Sequence, residues 1–367
     1  MKKSTIKSLA ATAICTAVCT VATSPARAQS SVTLFGVVDL AVSRLQADGL
    51  GHKTGLSTGN QAASRLGFRG TEDLGGGLAA GFWIEGALQP DEGNAGGLLF
   101  QRRSTVSLLG AFGELRLGRD FAPSYLNITY FDPFGARGIG TTIATGNFGY
   151  SDLRNSNQVH YFTPATLGGF FGSVAYSWGG TGGVEPQSNQ ANSRQGDYWG
   201  GRVGYAAGPV SLAAGIGQWK QVLGASNTAP VAIGHDLKEI NAGATWDFGV
   251  AKLWGFYGQE RAEGNPVGNN RLDSTLLGVT APLGAGEIRA SIAHYDMRDS
   301  ANDSNKFAIG YGYNLSKRTQ LYATVATVRN QGTGTRVVKD SEGLALTGGA
   351  RPGGRSSGFD IGIRHSF

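Results

Sequence analysis

Residues that could carry out catalysis are few in this sequence. Gly75-Gly-Gly77-Leu-Ala-Ala80 fits the G-x-G-x-x-A dinucleotide fingerprint, but the following segment, 81–86, alternates like a β-strand. A strand there leaves no helix N-terminus to bind a phosphate, so we interpret the glycines as a hairpin turn. The five histidines lack metal-ligand spacing, and G-x-S-x-G, P-loop and CxxC motifs are absent from the sequence. We therefore expect no enzyme, no metal and no cofactor. A barrel phospholipase or protease is the alternative in the enzyme class.

The elements that would position any functional side chains are amphipathic strands. In the last ten residues, apolar side chains alternate with polar or small ones up to the final Phe367. This period of two indicates a strand with one apolar and one wet face. The same alternation recurs in 169–178, 197–207 and 306–315, and sixteen candidate strands can be placed in all. Tight glycine-containing turns alternate along the chain with longer polar loops, among them 46–60 and 330–357.

The first 28 residues predict export. Three lysines precede an uncharged run, and Ala26-Arg27-Ala28 then forms an A-x-A cleavage site. We expect residues 1–28 to be a signal peptide and residues 29–367 to form the folded domain. This leader holds four of the net positive charges, so the net charge falls from +6 to +2 without it. The basic balance of the whole chain is therefore no argument for nucleic-acid binding.

Composition favours a membrane barrel over the other strand-rich classes. The 59 glycines are accompanied by 17 phenylalanines and 6 tryptophans, which argues against disorder. The mean hydropathy is slightly negative, as expected if half of each strand faces lipid and half faces water. We predict an all-β fold, a 16-stranded antiparallel transmembrane β-barrel. A soluble β-sandwich shares the alternation, but its aromatic residues would line a shared core.

Several segments resemble one family of barrels. They are SVTLFGVVD at 31–39, SRLGFRGTEDLG at 64–75, FGELRLGR at 112–119, RNSN at 154–157 and the terminal Phe367. Together they resemble Gram-negative outer-membrane general diffusion porins, in particular the β-proteobacterial trimeric porins. The resemblance implies a homotrimer in the outer membrane and an inward-folded third extracellular loop, here about 121–153, that narrows the pore. It also implies that Phe367 is an assembly signal read by the barrel-assembly machinery.

A pore selects ions through charged side chains at its narrowest point. Alternation points Arg65 inward, and the resemblance places Arg65 and Arg154 at constriction positions. For a third arginine the arguments differ: alternation from Val106 and Leu108 points Arg103 inward, whereas the resemblance selects Arg102. We take Arg102, because a β-bulge can shift the alternation. The facing acids are expected to be Asp132, on the loop, with Asp120 and Glu114 near its base, and Arg137 is a further basic candidate.

The sequence thus predicts a water-filled channel for passive diffusion of small hydrophilic solutes and ions, with modest anion preference. Its other expected contacts are outer-membrane lipid and lipopolysaccharide, and no nucleic acid. A substrate-specific channel is the first alternative, and Phe35, Trp83 and Trp254 on the wet face are its only hints. A structural or adhesive barrel with a closed pore is the second alternative.

Overall fold

The computed structural model describes residues 31–367, except 94–98, 143–153, 180–195, 224–233, 264–270, 299 and 339–342. The predicted signal peptide, 1–28, and the last part of the predicted constriction loop therefore lie outside the described residues. Among the described residues, no helix has the length and apolar character that a membrane crossing requires.

Antiparallel strands make up almost all of the described chain. In chain order they are β1 (Ser31–Ala47), β2 (Gly51–Thr58), β3 (Arg65–Gly75), β4 (Leu78–Ala87), β5 (Arg103–Gly110), β6 (Gly113–Phe121), β7 (Arg154–Phe162), β8 (Phe170–Ser177), β9 (Tyr198–Ala207), β10 (Val210–Leu223), β11 (Gly234–Asp247), β12 (Lys252–Glu263), β13 (Arg271–Leu283), β14 (Gly286–Met297), β15 (Ser304–Asn314), β16 (Thr319–Asn330) and β17 (Arg355–Ser366). One helix, α1 (Pro123–Phe131), follows β6.

The strands form one closed barrel. Each strand from β3 to β17 pairs with the next, and β17 pairs back onto β1, with Val37 opposite Ser366 and Ala47 opposite Ser356. The long strand β1 pairs with β3 along its first part and with β2 along its second. β2 and β3 thus occupy one position of the wall, and the barrel is sixteen-stranded, as predicted. Closure pairs the last strand back onto the first, as a lipid environment requires of a sheet that spans it.

The predicted loop 46–60 is wrong in one respect, because β2 fills most of it. Polar side chains such as His52 and Lys53 interrupt the alternation that would predict a strand, but all residues of β2 pair with β1. The break between β2 and β3 is held by Asp39, whose carboxylate accepts hydrogen bonds from the backbone N–H groups of Gln61 (2.7 Å) and Ala62 (2.8 Å).

The two faces of the wall follow the alternation seen in the sequence. On β11, Ile240 and Trp246 are about half exposed on the outside, whereas Glu239 is 3% exposed on the inside. Tight turns such as 207–210 and 283–286 lie at the barrel end that also holds the start of β1 and the end of β17. We call it the turn end. The longer connections lie at the opposite end, the loop end. Exposed aromatic residues such as Phe170, Phe248 and Tyr313 lie close to the turns, as in the aromatic girdles of membrane barrels.

The segment after β6 folds into the barrel, in agreement with the predicted inward loop. Helix α1 packs against the inner faces of β8–β12. The all-β expectation is confirmed, with α1 as one short helix that Pro123 at its start and the lack of strand alternation permit. Glycines of the wall leave space for this segment. A Cβ on Gly243 would lie 2.2 Å from the Phe131 ring, and one on Gly278 would lie 2.4 Å from Pro133.

Candidate pore constriction

Arginine side chains gather on the inner wall formed by β3–β7, near the loop end. Arg65 is the first residue of β3, Arg154 is the first residue of β7, and Arg102 directly precedes β5. These positions are separated along the chain, but strand pairing places them on alternate strands of one continuous stretch of the wall. Because an inward-facing charge can be solvated by the water of a pore, such a cluster is tolerated here, whereas it would be costly on the lipid-facing part of the outer wall.

One carboxylate, Glu85 on β4, connects two of these arginines. Its Oε1 accepts a 2.6 Å hydrogen bond from Arg102 Nε and lies 3.7 Å from Arg65 Nε. Its Oε2 accepts a 3.1 Å hydrogen bond from Trp83 Nε1. The sequence-based reasoning missed Glu85, although it shares the inward alternation of Trp83, which had been placed on the wet face.

Arg154 and Arg137 complete the basic group. The Arg154 guanidinium lies 4.0 Å from the centre of the Phe121 ring, and within the described part of the chain its Nε forms no hydrogen bond. Arg102 and Arg137 are close enough to act as like charges on both Arg65 and Arg154. The structure therefore brings four predicted residues, Arg65, Arg102, Arg137 and Arg154, close to one another, and Glu85 contacts two of them, Arg65 and Arg102. We call these five residues the Glu85 cluster.

Arg103 faces the lumen as well, so the choice between Arg102 and Arg103 was not exclusive. Strand β5 begins at Arg103, whose side chain follows the alternation of the strand. Arg102 lies before the strand, so the alternation does not set the direction of its side chain. Arg103 lies 3.8 Å from Asp120 and 4.5 Å from the centre of the Trp83 ring.

The predicted acids Asp120 and Glu114 belong to a second group, which is built around Arg116 on β6. Arg116 donates hydrogen bonds to Glu114 Oε1 (2.8 Å) and Oε2 (2.9 Å), and also to Asp120. These acids neutralise Arg116 and Arg103, whereas Glu85 contacts Arg65 and Arg102.

Asp132 does not face the arginines across the lumen, which corrects the expectation for this residue. Its side chain is 2% exposed and accepts hydrogen bonds from the backbone N–H groups of Phe134 (2.8 Å) and Thr142 (2.9 Å). The hydroxyl groups of Thr141 and Thr142 donate to the same carboxylate. Burial raises the pKa of Asp132, and these donors together with Lys306 oppose that rise. The carboxylate holds the turn that follows α1.

The acids of the opposite wall are covered by the inward loop. Glu239 on β11 and Glu260 on β12 are directly opposite each other in the register, and each is less than 10% exposed. Ser124 at the start of α1 donates a 2.9 Å hydrogen bond to Glu239, and Asn241 donates one of 2.7 Å. The loop thus covers Glu239 and Glu260, whereas Arg65 and Arg154 on the opposite side of the lumen remain partly exposed.

The three wet-face aromatic residues form no continuous row. Phe35 and Trp83 make one edge-to-face pair, with ring centres 4.9 Å apart, and Arg69 lies 5.0 Å from the Trp83 ring. Trp254, on β12, instead donates a hydrogen bond to Thr280.

The C-terminal Phe367 closes the barrel seam. Its backbone N–H donates to Gly36 O (3.1 Å), and its carbonyl accepts from Gly36 N–H (3.0 Å). A Cβ on Gly36 would lie 2.3 Å from the Phe367 ring, so the glycine leaves the space that the ring occupies.

Comparison with known proteins agrees with this architecture. The family model for the Gram-negative porin matches residues 10–333. Outer membrane porin protein 32 of Delftia acidovorans is 41% identical, over 94% of this chain and 97% of its own length. An outer membrane porin protein of Bordetella pertussis is 29% identical, over 93% of this chain and 96% of its own.

Among solved structures, an anion-selective porin from Comamonas acidovorans is similar, with a TM-score of 0.82 and 41% identity. The match covers 92% of this chain and all of that one. OmpT of Vibrio cholerae, solved in a trimer form, matches with a TM-score of 0.65 at 16% identity and so supports the fold alone.

Proposed function

Since this chain belongs to the Gram-negative porin family and forms an outer-membrane channel for passive diffusion, we propose that its constriction favours small anions over cations. Members of the family are channels rather than enzymes. The observation that carries the proposal is the Glu85 cluster, in which four arginines lie close together with one carboxylate.

The charges available to a passing ion are unbalanced. Glu85 can neutralise one of the four guanidinium groups, and its shortest contact, 2.6 Å, is to Arg102. Glu239, Glu260 and Asp132 are buried beneath or within the inward loop. Two unit charges ~8 Å apart interact by about 2 kcal/mol at an effective dielectric near 20. Within the Glu85 cluster, four positive charges and one negative charge leave a net positive charge that is large enough to bias ion occupancy at the constriction.

The similar porin from Comamonas acidovorans is described as anion-selective, which supports the same assignment for this chain. Small hydrophilic anions are the solutes that such a constriction favours. Screening weakens the preference as salt rises, since the Debye length falls from ~10 Å at 0.1 M to ~3 Å at 1 M.

Charge reversal at the constriction tests the proposal. We expect Arg65→Glu combined with Arg102→Glu to shift the zero-current potential of single channels strongly toward cation preference. The matched control is Lys53→Glu combined with Arg351→Glu, which makes the same charge change on exposed residues of the loop end. The control should shift the potential much less. Equal shifts from the two double variants would place the selective constriction elsewhere.

A substrate-specific channel would require a solute-binding path along the lumen. The Phe35–Trp83 pair with Arg69 is the one described arrangement that favours it. Block of the chloride current by micromolar concentrations of one organic solute would support that alternative. A closed, adhesive barrel would give no current.

We infer that the functional unit is a homotrimer, because the overall architecture resembles porins that include a trimer form. Gently extracted protein should migrate as an oligomer that dissociates on heating. A monomer throughout mild extraction would contradict this assembly.

A further inference from the structure

The outer face of β13–β16 carries a shallow open groove of about 520 Å³. Ala290 forms its floor and lies opposite Val279 on β13 and Ile309 on β15. Because the alanine side chain is a single methyl group, the wall is recessed between these larger neighbours. One row closer to the loop end, Ile292 and Phe307 form the sides. The groove is apolar almost throughout and faces away from the pore.

A polar row closes the groove at the loop end. Two residues beyond Ile292 and Phe307 on the same outward alternation lie His294 and Asn305, whose side chains form a 3.0 Å hydrogen bond. The register continues this row from Asn305 to Arg329 on β16, and from Arg329 to Arg355 on β17. Arg329 is four residues beyond Val325 of the groove lining, which corresponds to ~13 Å along a strand.

Arg329 and Arg355 form an unusual pair. They are directly opposite each other on adjacent strands, and both are exposed on the outer face. Like charges in this position repel each other and destabilise a sheet. Within the described part of the chain, neither guanidinium forms an ion pair with a carboxylate, and a bound anion would remove the repulsion.

The same rim holds a basic pair whose charge the protein itself neutralises. Lys238 and Arg261 are directly opposite on β11 and β12. Glu263 lies 2.7 Å from Lys238 Nζ and 3.8 Å from Arg261 Nε. The sequence therefore supplies a carboxylate to one outward basic pair and, among described residues, none to the other.

We propose that this groove and the Arg329–Arg355 pair bind a phosphorylated, acylated lipid of the outer leaflet. One acyl chain lies over Ala290, and a phosphate group lies between the two guanidinium groups. Arginine matches phosphate with paired, charge-assisted hydrogen bonds, and the outer face of the barrel meets lipid rather than dissolved solutes. The inference rests on the outer-membrane location and is independent of the proposed ion selectivity.

Lipid binding to the purified, delipidated protein tests the site. The probes are bisphosphorylated lipid A and the same lipid after enzymatic removal of its phosphates, with bound copies counted by native mass spectrometry. We expect Arg329→Ala combined with Arg355→Ala to weaken binding of the phosphorylated lipid by about tenfold or more, because two charge-assisted contacts are lost. Lys238→Ala combined with Arg261→Ala is the matched control and should leave binding unchanged.

A second variant tests the apolar part. Ala290→Phe fills the groove and should weaken binding of both probes, while single-channel conductance stays at its original value and reports an intact barrel. An equal loss of lipid binding in the Arg329→Ala/Arg355→Ala variant and in its Lys238→Ala/Arg261→Ala control would overturn the headgroup site. Unchanged binding in Ala290→Phe would overturn the groove as the acyl site. A groove variant that changes the oligomeric state without changing lipid binding would assign this face to a second copy of the chain and would also overturn the proposal.

Discussion

At the scale of single residues, Glu85 determines how much of the positive charge at the constriction is neutralised. It contacts Arg102 at 2.6 Å and Arg65 at 3.7 Å, and it is 8% exposed. The carboxylate therefore has two effects: it reduces the charge that a passing ion meets, and it holds two long side chains against the wall. Removing it should change selectivity and local rigidity together.

We expect Glu85→Gln to increase anion preference, because the amide keeps the shape of the side chain and removes one negative charge. One charge at ~8 Å is worth up to about 2 kcal/mol at an effective dielectric near 20. The measurement is the zero-current potential at low salt. Glu287→Gln is the control, since Glu287 pairs with Arg289 at the turn end, away from the constriction. A shift toward cations in Glu85→Gln would contradict the role of this carboxylate.

The basic half of the site could be predicted from sequence, whereas its acidic partner could not. Alternation points Arg65 inward, and the family segments select Arg154. Alternation cannot say which of several inward acids lies within reach of these arginines, because that depends on the stagger between strands. Glu85 reaches Arg102 through the pairing of Glu85 with Arg103. Asp132 was misplaced because a loop carboxylate can turn toward its own backbone, which no periodic pattern records.

At the scale of elements, the inward loop is held by polar contacts from α1 and from the segment that follows it. Ser124 bonds Glu239 and Asn127 bonds Asn241 at 3.0 Å. Beyond the helix, Lys306 Nζ donates to Thr141 O and Tyr295 donates to Thr142 O at 2.9 Å. The loop is therefore anchored to the wall on the side opposite the Glu85 cluster, and this anchoring fixes the width of the pore.

Asp132→Ala should loosen this loop, because four donors and the buried Lys306 lose their carboxylate. Leaving a buried hydrogen-bond donor without its acceptor costs about 1–3 kcal/mol. We expect stronger fluctuations of the open-channel current, with the barrel still assembled. Asp247→Ala is the control, since Asp247 caps an exposed turn through the Gly249 N–H. Current noise at the original level in Asp132→Ala would show that the loop is held without this residue.

Strand positions were predictable to within a few residues, and the helix and β2 were not. Lys306–Asn314 within β15 alternates without a break, because one face meets lipid and the other meets water. β2 has polar side chains on both faces, so its backbone pairing with β1 leaves no trace in hydropathy. α1 packs against β8–β12 inside the barrel and buries polar residues such as Ser124 and Asn127 beside its apolar ones, so it lacks the apolar stripe that marks a surface helix.

At the scale of the whole molecule, the barrel is closed by a seam between β1 and β17, the first and last strands of the chain. The pairing of Phe367 with Gly36, and the ring that covers Gly36, make the final residue part of this seam. A terminal aromatic side chain at the turn end also extends the interfacial girdle. The last residue thus contributes both to closure and to the contact with the membrane boundary.

We expect Phe367→Ser to lower the yield of assembled protein in the outer membrane, because the change removes the aromatic group from the seam and from the proposed assembly signal. The measurement is the heat-modifiable fraction in purified outer membranes. Phe359→Ser is the control, since Phe359 is an outward residue in the interior of the same strand. Equal losses from both variants would mean that the terminal position has no special role.

The central claim is that a net positive constriction makes this diffusion channel prefer anions. The most direct measurement is the zero-current potential of the unaltered protein in a planar bilayer under a potassium chloride gradient, taken at low and at high mean salt. We predict discrete ohmic channels with a potential that is negative on the dilute side, larger at low salt and fading as salt rises. A potential of the opposite sign, or one that does not change with salt, would contradict the account.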